Sequence, residues 1–389
     1  MTTSCALRPR VLIADDQPDL LDALRLLLKA EDIVMEAATS PGAVLAAVEE
    51  GAYDLLLMDL NYTTDTTSGR EGIDLLDAVH AHDSLLPIVV MTGWGSVDLA
   101  VEAMRRGVRD FVQKPWDNTQ LVRTLRTEID GGRARREQHH VEQRELEEAR
   151  RIQHKLLPAS LPPIDGCEIA TSWQPASGVG GDCFDVIGFG PARVAISIAD
   201  VVGKGIPAAL LMSNLQAAVR AFATETAQPA ALCQQVNRIL CGNIAEGRFI
   251  SFFYGALDND LRTLTFANAG HYPPVLVRAD GSVERLTQGG PVLGVFTDAA
   301  YEQGRVRIGT GDRLVMFTDG ITEARRPEGT AARSTFEEDE FGEERLIASA
   351  VANRACSAPA LQARLADAVA TFTGGAFQDD ATLIVVAAH

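Results

Sequence analysis

Between Arg10 and Ile129 the chain alternates short apolar runs with longer amphipathic stretches. VLIA (Val11 to Ala14), DLLLM (Asp54 to Met58), PIVVM (Pro87 to Met91) and DFVQ (Asp110 to Gln113) are short and mostly apolar, the pattern of strands buried on both faces of a parallel sheet. Stretches between them, such as Leu20 to Ala30, repeat apolar residues every three or four positions, as helices lying on a sheet do. This (βα) repeat predicts a doubly wound, five-stranded parallel sheet, with its chemistry at the carboxyl ends of the strands. From Gly131 to Leu157 the pattern changes to GGRARREQHHVEQRELEEARRIQHKLL, dominated by Arg, Glu and Gln. Good helix formers and charge pairs such as Glu148 and Arg151 predict a long exposed helix. Val141, Leu146, Ala149, Ile152 and Leu156 give it one apolar stripe, so it reads as a spacer or as a dimerising helix that carries a signal onward.

From Pro158 the pattern becomes β-rich with paired helical blocks. Val194 to Ala199, Phe252 to Leu257, Leu261 to Asn268, Pro274 to Arg278, Arg313 to Thr318 and Ala381 to Ala387 read as strands. Ile206 to Ala223, Ala230 to Ala245, Gly342 to Asn353 and Ala358 to Thr373 read as helices. Runs of strands with pairs of helices predict a layered α/β sandwich. At about 100 to 200 residues per domain, 389 residues suit this division: a first domain over 9–130, a helical linker over 131–157 and a second domain over 158–389.

Charge and composition narrow the functions. Lys and Arg number 35 against 53 Asp and Glu, a net charge of -18, which repels nucleic acid and anionic lipid. No helix-turn-helix or basic stripe follows the first domain, so a nucleic-acid partner is not expected. No apolar run approaches the roughly 18 residues of a membrane span, and the start MTTSCALRPR lacks a signal-peptide core. A cytoplasmic protein with no membrane partner is expected. Cys5, Cys167, Cys183, Cys233, Cys241 and Cys356 are scattered without CxxC or zinc spacing, as reduced structural thiols would be.

The first candidate chemistry lies at the predicted strand ends: Asp15 and Asp16 after the first, Asp59 after the third, Thr92 after the fourth and Lys114 after the fifth. Three converging carboxylates repel unless a hard cation such as Mg²⁺ sits among them, and a hydroxyl with an ammonium suits phosphoryl oxygens. These residues make Arg10 to Ile129 resemble a response-regulator receiver domain, a flavodoxin-like fold. The resemblance implies that Asp59 accepts a phosphoryl group from a sensor histidine kinase or phosphotransfer protein. It further implies that Asp15, Asp16, Asp59 and the backbone carbonyl of Asn61 hold Mg²⁺. Thr92 and Lys114 would bind the phosphoryl oxygens, Phe111 would reorient on phosphorylation, and Lys114-Pro115 would be cis. The segment NYTTDTTSGREG after Asp59 is longer and more polar than is usual for the family.

In the second domain the acids again sit where strands end: Asp182 in GGDCFDV, Asp200 in IADVVGKG, Asp319 in FTDG, and Asp379 with Asp380 in QDDAT. Four separated Asp sites suit a pair of hard cations, and the neighbouring glycines allow tight turns that bring in backbone carbonyls. Such a pair acidifies water and neutralises phosphoryl oxygens, as phosphate-ester hydrolysis requires. No GxSxG, HExxH or GxxxxGK[ST] motif competes.

RIQHKLLP, GGDCFDV, ADVVGKGIPAALLM, FANAGHYPP, FTDGITEA, FGEERL and DDATLIVV, in that order over about Glu147 to His389, resemble the SpoIIE/RsbU branch of the PPM serine/threonine protein phosphatases. The resemblance implies two Mn²⁺ or Mg²⁺ held by Asp182, Asp200, Asp319, Asp379 and the Val201 carbonyl. Asp380 is a further candidate ligand, set apart from the other four because related phosphatases often have Asn at the neighbouring position. Asn268, Gly270 and His271 match an NAGH motif that shapes the site, with His271 a weak acid candidate. Lys204, where many relatives have His, attracts phosphate or faces solvent. Arg325 to Thr335 reads as a flap near Asp319, and Glu337 to Glu344 as a solvated loop and helix start.

Together these features predict a two-component regulator whose output is a metal-dependent protein phosphatase gated by phosphorylation of Asp59. Family resemblance implies a phosphoserine or phosphothreonine substrate on a STAS-type anti-sigma-factor antagonist in a partner switch, and a homodimer through the connector. GGDCF also invites comparison with the GGDEF of diguanylate cyclases, but Cys183 replaces an acid that cyclases need. The main alternative is a receiver-controlled, catalytically silent scaffold that sequesters a partner.

Overall fold

The computed structural model describes residues 8–60, 70–93, 97–176, 178–244, 247–260, 262–327, 339–375 and 377–389. The chain divides into two compact units, Met1–Arg144 and Glu145–His389.

In the first unit the elements run β1 (Arg10–Ala14), α1 (Pro18–Ala30), β2 (Val34–Ala38), α2 (Pro41–Glu50), β3 (Leu55–Asp59), α3 (Arg70–His82), β4 (Ile88–Thr92), α4 (Val97–Arg105), β5 (Asp110–Gln113) and α5 (Asn118–Leu156). All strand pairs are parallel, in the order β2-β1-β3-β4-β5. Alternation along the strands decides the layering. Leu12, Ala14, Leu56, Met58, Ile88 and Val90 pack with Val44, Val48, Leu76 and Val79 of α2 and α3. Val11, Ile13, Leu57, Val89 and Met91 pack with Leu21, Leu24 and Leu28 of α1 and with Leu121, Leu125 and Ile129 of α5. Order reverses between β1 and β3, which puts the carboxyl ends of β1, β3 and β4 around one crevice.

Helix α5 begins at Asn118, well before the Gly131 predicted from composition, and runs on through Gly131 and Gly132. Gly132 lets the helix lie close to the strand below, since a Cβ there would fall 2.5 Å from Pro87 Cγ. Arg133 then forks onto Asp54 at 2.7 and 3.0 Å, and Arg136 reaches Asp83 at 2.6 Å. The pairing of Arg151 with Glu148 forms at 3.2 Å.

The second unit holds β6 (Cys167–Gln174), β7 (Cys183–Gly188), β8 (Arg193–Val201), α6 (Ile206–Phe222), α7 (Pro229–Cys241), β9 (Ile250–Asp258), β10 (Thr263–Ala269), β11 (Val275–Val277), β12 (Val283–Arg285), β13 (Gly289–Gly290), β14 (Gly304–Arg307), β15 (Arg313–Phe317), α8 (Asp319–Thr322), α9 (Glu343–Ala352), α10 (Ala358–Thr373) and β16 (Ala381–Ala388). Among the described residues these strands make two sheets. One runs β13-β10-β9-β8-β7 with β14 also on β10, and the other runs β12-β11-β15-β16-β6.

Strand β16 is buried throughout. Ile384 and Val386 face the core shared with Ile196, Ile198 and Phe253 of the first sheet, while Leu383, Val385 and Ala387 face Leu361, Leu365 and Val369 of α10. Met212 and Leu215 of α6 and Leu232 and Val236 of α7 pack on the outer side of the first sheet. The unit is thus a four-layered α-β-β-α sandwich, and each fully buried Leu or Ile on it contributes about 1.5 to 3 kcal/mol of hydrophobic stabilisation. Among the described residues no helix is long and apolar enough to cross a membrane.

Candidate active site

In the first unit the crevice gathers the expected side chains. Asp15 is fully buried, Asp59 and Thr92 nearly so, and Asp16 is half-buried. Lys114, just past β5, donates to Asp15 Oδ2 at 2.7 Å and to Asp59 Oδ2 at 2.5 Å. Burial pulls the ammonium down, but its hydrogen bonds to Asp15 and Asp59 win and hold it above the ordinary lysine value. Asp15 Oδ1 accepts from the Gln17 N–H at 2.9 Å and shapes the turn into α1. The Lys114-Pro115 peptide is cis. Phe111 is 51% exposed, so its ring has room to turn. Asn61 and most of the long segment after Asp59 lie outside the described residues. An oxygen-only donor set bridged by one ammonium fits a hard cation such as Mg²⁺.

In the second unit, five aspartates from four segments meet at one end of the sandwich. Asp182 precedes β7, Asp200 closes β8, Asp319 opens α8 directly after β15, and Asp379 and Asp380 precede β16. Asp182 Oδ2 accepts from the hydroxyls of Thr318 and Thr382, both at 2.6 Å. Its Oδ1 is buried without a hydrogen-bond partner, an arrangement that costs free energy unless something positive reaches it. Burial and the Asp200 charge push the Asp182 carboxyl well up. Asp200 is raised to about 7 by burial and by Asp319, Asp379, Asp380 and Glu323. Asp319 is raised to about 6 by burial, Glu323 and Asp379. The carboxylates are thus held together against their own repulsion.

Glycines allow this crowding. A Cβ on Gly181 would sit 2.8 Å from the Val201 carbonyl oxygen, and one on Gly320 would collide with the Asp380 carbonyl. Among the described residues no group of three or more His, Cys, Asp or Glu side chains is arranged to hold an ion by itself. The orphaned Asp182 oxygen, the mutual repulsion and the all-oxygen donors fit hard divalent cations.

Several residues take more definite parts than their motifs indicated. The Asp380 carboxylate anchors a loop, accepting from the N–H of Ala176 at 2.8 Å and of Gly181 at 2.6 Å. Lys204 is exposed, and there it pairs with Asp379 at 2.8 Å and donates to the Gln378 carbonyl at 2.8 Å. In the NAGH turn the Asn268 side chain accepts from His271 N at 2.7 Å and donates to the His271 carbonyl at 3.0 Å, and Gly270 supplies the positive φ of 70°. His271 is buried with Nδ1 2.8 Å from Ser251 Oγ. Burial depresses it to about 4 against a small opposing pull from the Phe317 backbone, to which Nε2 makes no regular hydrogen bond. It is a packing residue, poorly suited to donate a proton. Arg325 pairs with Glu340 across the base of the segment read as a flap, at 2.7 Å, and 328–338 lie outside the described residues.

Thr318, Thr382, Glu323 and Gln153 were missed as site residues. Thr318 adjoins Asp319 in FTDG and Thr382 lies two residues past Asp380 in DDAT, which was the available signal. Gln153, in RIQHKLLP, looked like any polar residue of an exposed helix.

A receiver-like crevice and an Asp-lined end of an α-β-β-α sandwich define the class: a receiver joined to a PP2C-type phosphatase fold. The chain belongs to the family described as Stage II sporulation protein E (SpoIIE), whose model matches residues 190–389, more than half of its length, and a response regulator receiver domain model matches residues 11–126. It is 28% identical over 269 residues to Protein IcfG of Synechocystis sp., covering 62% of this chain and 41% of that one. It is 33% identical over 190 residues to Phosphoserine phosphatase RsbU of Bacillus subtilis, covering 49% of this chain and 56% of RsbU. The chain therefore spans about half the length of these curated relatives. The SiaA-PP2C domain of Pseudomonas aeruginosa shares the fold at a TM-score of 0.54 and 21% identity, covering 64% of this chain and 97% of that domain.

Proposed function

We propose that this chain is a two-component response regulator whose output is a metal-dependent protein serine/threonine phosphatase. The observation that carries the reading is the convergence of Asp182, Asp200, Asp319 and Asp379, with Asp182 Oδ1 buried and unpartnered. These four and the Val201 carbonyl hold two Mn²⁺ or Mg²⁺. When bound, the cations supply charge neutralisation for the phosphoryl group and acidify water. The chain orients the ligands: Thr318 and Thr382 fix Asp182, Asp380 fixes the loop before it, and Lys204 fixes Asp379. Water adds to phosphorus and gives up a proton, the bond from phosphorus to the serine or threonine oxygen breaks, and that oxygen takes up a proton, so the products are the free hydroxyl and inorganic phosphate.

In the first unit, Asp59 takes the phosphoryl group from a sensor histidine kinase or phosphotransfer protein, Thr92 and Lys114 receive its oxygens, and Asp15, Asp16, Asp59 and the Asn61 carbonyl hold Mg²⁺. Phe111 then turns, and α5 passes the change on to bias α6 and α7. Exposed Val141 and Ile152 on α5 favour self-association there as a homodimer. The name of the RsbU relative, a phosphoserine phosphatase, supports a phosphoserine or phosphothreonine protein substrate. We assign this to a STAS-type anti-sigma-factor antagonist in a cytoplasmic partner switch.

The test is phosphate release from p-nitrophenyl phosphate and a phosphoserine peptide with and without Mn²⁺, for the wild type and Asp319→Asn. Metal-dependent turnover lost in the variant supports the reading; equal turnover in the two proteins overturns the role of the Asp cluster, and none in either overturns the reading in favour of the silent scaffold.

A further inference from the structure

Gln153 is the one polar residue on the last turns of α5 that is almost fully buried, at 3% exposure. Its amide makes a reciprocal pair of hydrogen bonds with one residue: Nε2 donates to the Gly180 carbonyl at 2.6 Å, and Oε1 accepts from the Gly180 N–H at 3.0 Å. A glutamine used in this way takes the place of a strand neighbour for the N–H and carbonyl of one residue, and an apolar side chain there would leave a buried donor and acceptor unpaired.

Gly180 sits against the Asp cluster. A Cβ at Gly180 would lie 2.5 Å from Asp380 Oδ2, and the next N–H, of Gly181, donates to that same oxygen at 2.6 Å. Asp182 follows directly, so the loop 178–182 is gripped on one side by the Asp380 carboxylate and on the other by Gln153. The neighbouring His154 adds a second hold. Its ring meets Trp173 edge-on at 6.3 Å, and the Trp173 indole N–H donates to the Asp182 carbonyl at 3.2 Å.

We propose that Gln153 is a positioning residue: its amide fixes the Gly180 peptide and thereby the Asp182 carboxylate, so that the end of α5 sets the affinity of the Asp cluster for divalent cations. The inference rests on the metal-site reading above and adds the route by which the helix reaches it. That route runs through the Asp182 loop, beside the contact the same helix end makes with α6, where Gln216 donates to the Leu156 carbonyl at 2.5 Å. Groups that orient metal ligands from outside the coordination shell are worth about tenfold to a hundredfold in affinity.

The experiment compares full-length wild type, Gln153→Met and Leu157→Ala, the last removing buried packing next to the same turn without touching the amide pair. Mn²⁺ affinity is measured by calorimetry, and amide hydrogen exchange over 176–182 is followed in metal-free protein. In Q153M, Mn²⁺ should bind about tenfold or more weakly, and the Gly180 and Gly181 amides should exchange at least about tenfold faster, one hydrogen bond's worth. L157A should lower stability and leave Mn²⁺ affinity as in the wild type. Equal Mn²⁺ affinity in Q153M and wild type, or equal losses in Q153M and L157A, overturns the inference while the metal site stands. A wild type that binds no Mn²⁺ overturns the metal reading and the inference with it. If Q153M does not fold, Gln153→Glu, which still accepts from the Gly180 N–H, takes its place: weakened Mn²⁺ binding supports the assignment and wild-type binding refutes it.

Discussion

His271 gives the fold a calculable acid sensitivity. Its imidazole is wholly buried, with Ser251 on one side and the Phe317 backbone on the other, and burial holds its pKa at about 4 instead of 6.5. In the unfolded chain the ring takes up a proton below about pH 6.5, and the folded protein refuses it until about 4. The unfolded state binds more protons in that window, so stability falls as pH drops from 6.5 to about 4 and is unaffected by this group above 6.5. The gap between 6.5 and about 4, at about 1.4 kcal/mol per pH unit, amounts to about 3.5 kcal/mol, of which about 3 is lost by pH 4. Hydrogen exchange of strand β10 in the full chain reads the local opening free energy, and His271→Gln isolates the imidazole from carboxylates that titrate nearby. Wild type should lose about 3 kcal/mol more than the variant between pH 7 and pH 4. Parallel pH profiles for the two proteins would refute the reasoning.

Three further outcomes follow from the geometry. Lys114→Met leaves buried Asp15 and Asp59 without their shared cation. In Mg²⁺-free buffer it should cost the receiver about 3 kcal/mol, read as faster exchange in β1 and β3, with Mg²⁺ restoring part of the loss. Gly320→Ala drives a Cβ into the Asp380 carbonyl; the displaced backbone should cost about 1 to 3 kcal/mol and abolish Mn²⁺-dependent turnover, and a variant as active as wild type would contradict the crowding described. Arg220→Leu strands the buried Asp185 carboxylate, which Arg220 grips at 2.6 and 3.1 Å. Thermal and urea unfolding of the second unit should record a loss of about 3 kcal/mol.

Strands whose residues are apolar on both faces, such as β3, β4 and β16, were legible because the run needs no partner to interpret it. Others hid for physical reasons. Strand β2, VMEAA, is an edge strand with only Ala38 fully buried, so it carries no continuous apolar run. Strand β6, CEIATSWQ, is half-buried along most of its length, and β7 was masked by the Gly and Asp of GGDCFDV, which read as a turn motif. Helix α5 was started too late because Gly131 and Gly132 resemble a break, when Gly132 serves close packing on Pro87.

The helix read as Ala230 to Ala245 ends at Cys241, and residue 245 lies outside the described residues. The acids of both clefts were legible from their places at strand ends. What holds them was not: the Thr318 and Thr382 hydroxyls, the Asp380 anchor and the Gln153 amide act through contacts between segments 27 to 200 residues apart, which local pattern does not encode.

Gating through Asp59 requires that the first unit control the chemistry of the second. Its most direct measurement is Mn²⁺-dependent release of phosphate from a phosphoserine peptide by the full chain, with and without beryllofluoride as a mimic of phospho-Asp59, beside an Asp59→Asn variant. Beryllofluoride should shift the rate of the wild type and leave Asp59→Asn unchanged. Equal rates with and without beryllofluoride in an otherwise active wild type would contradict it.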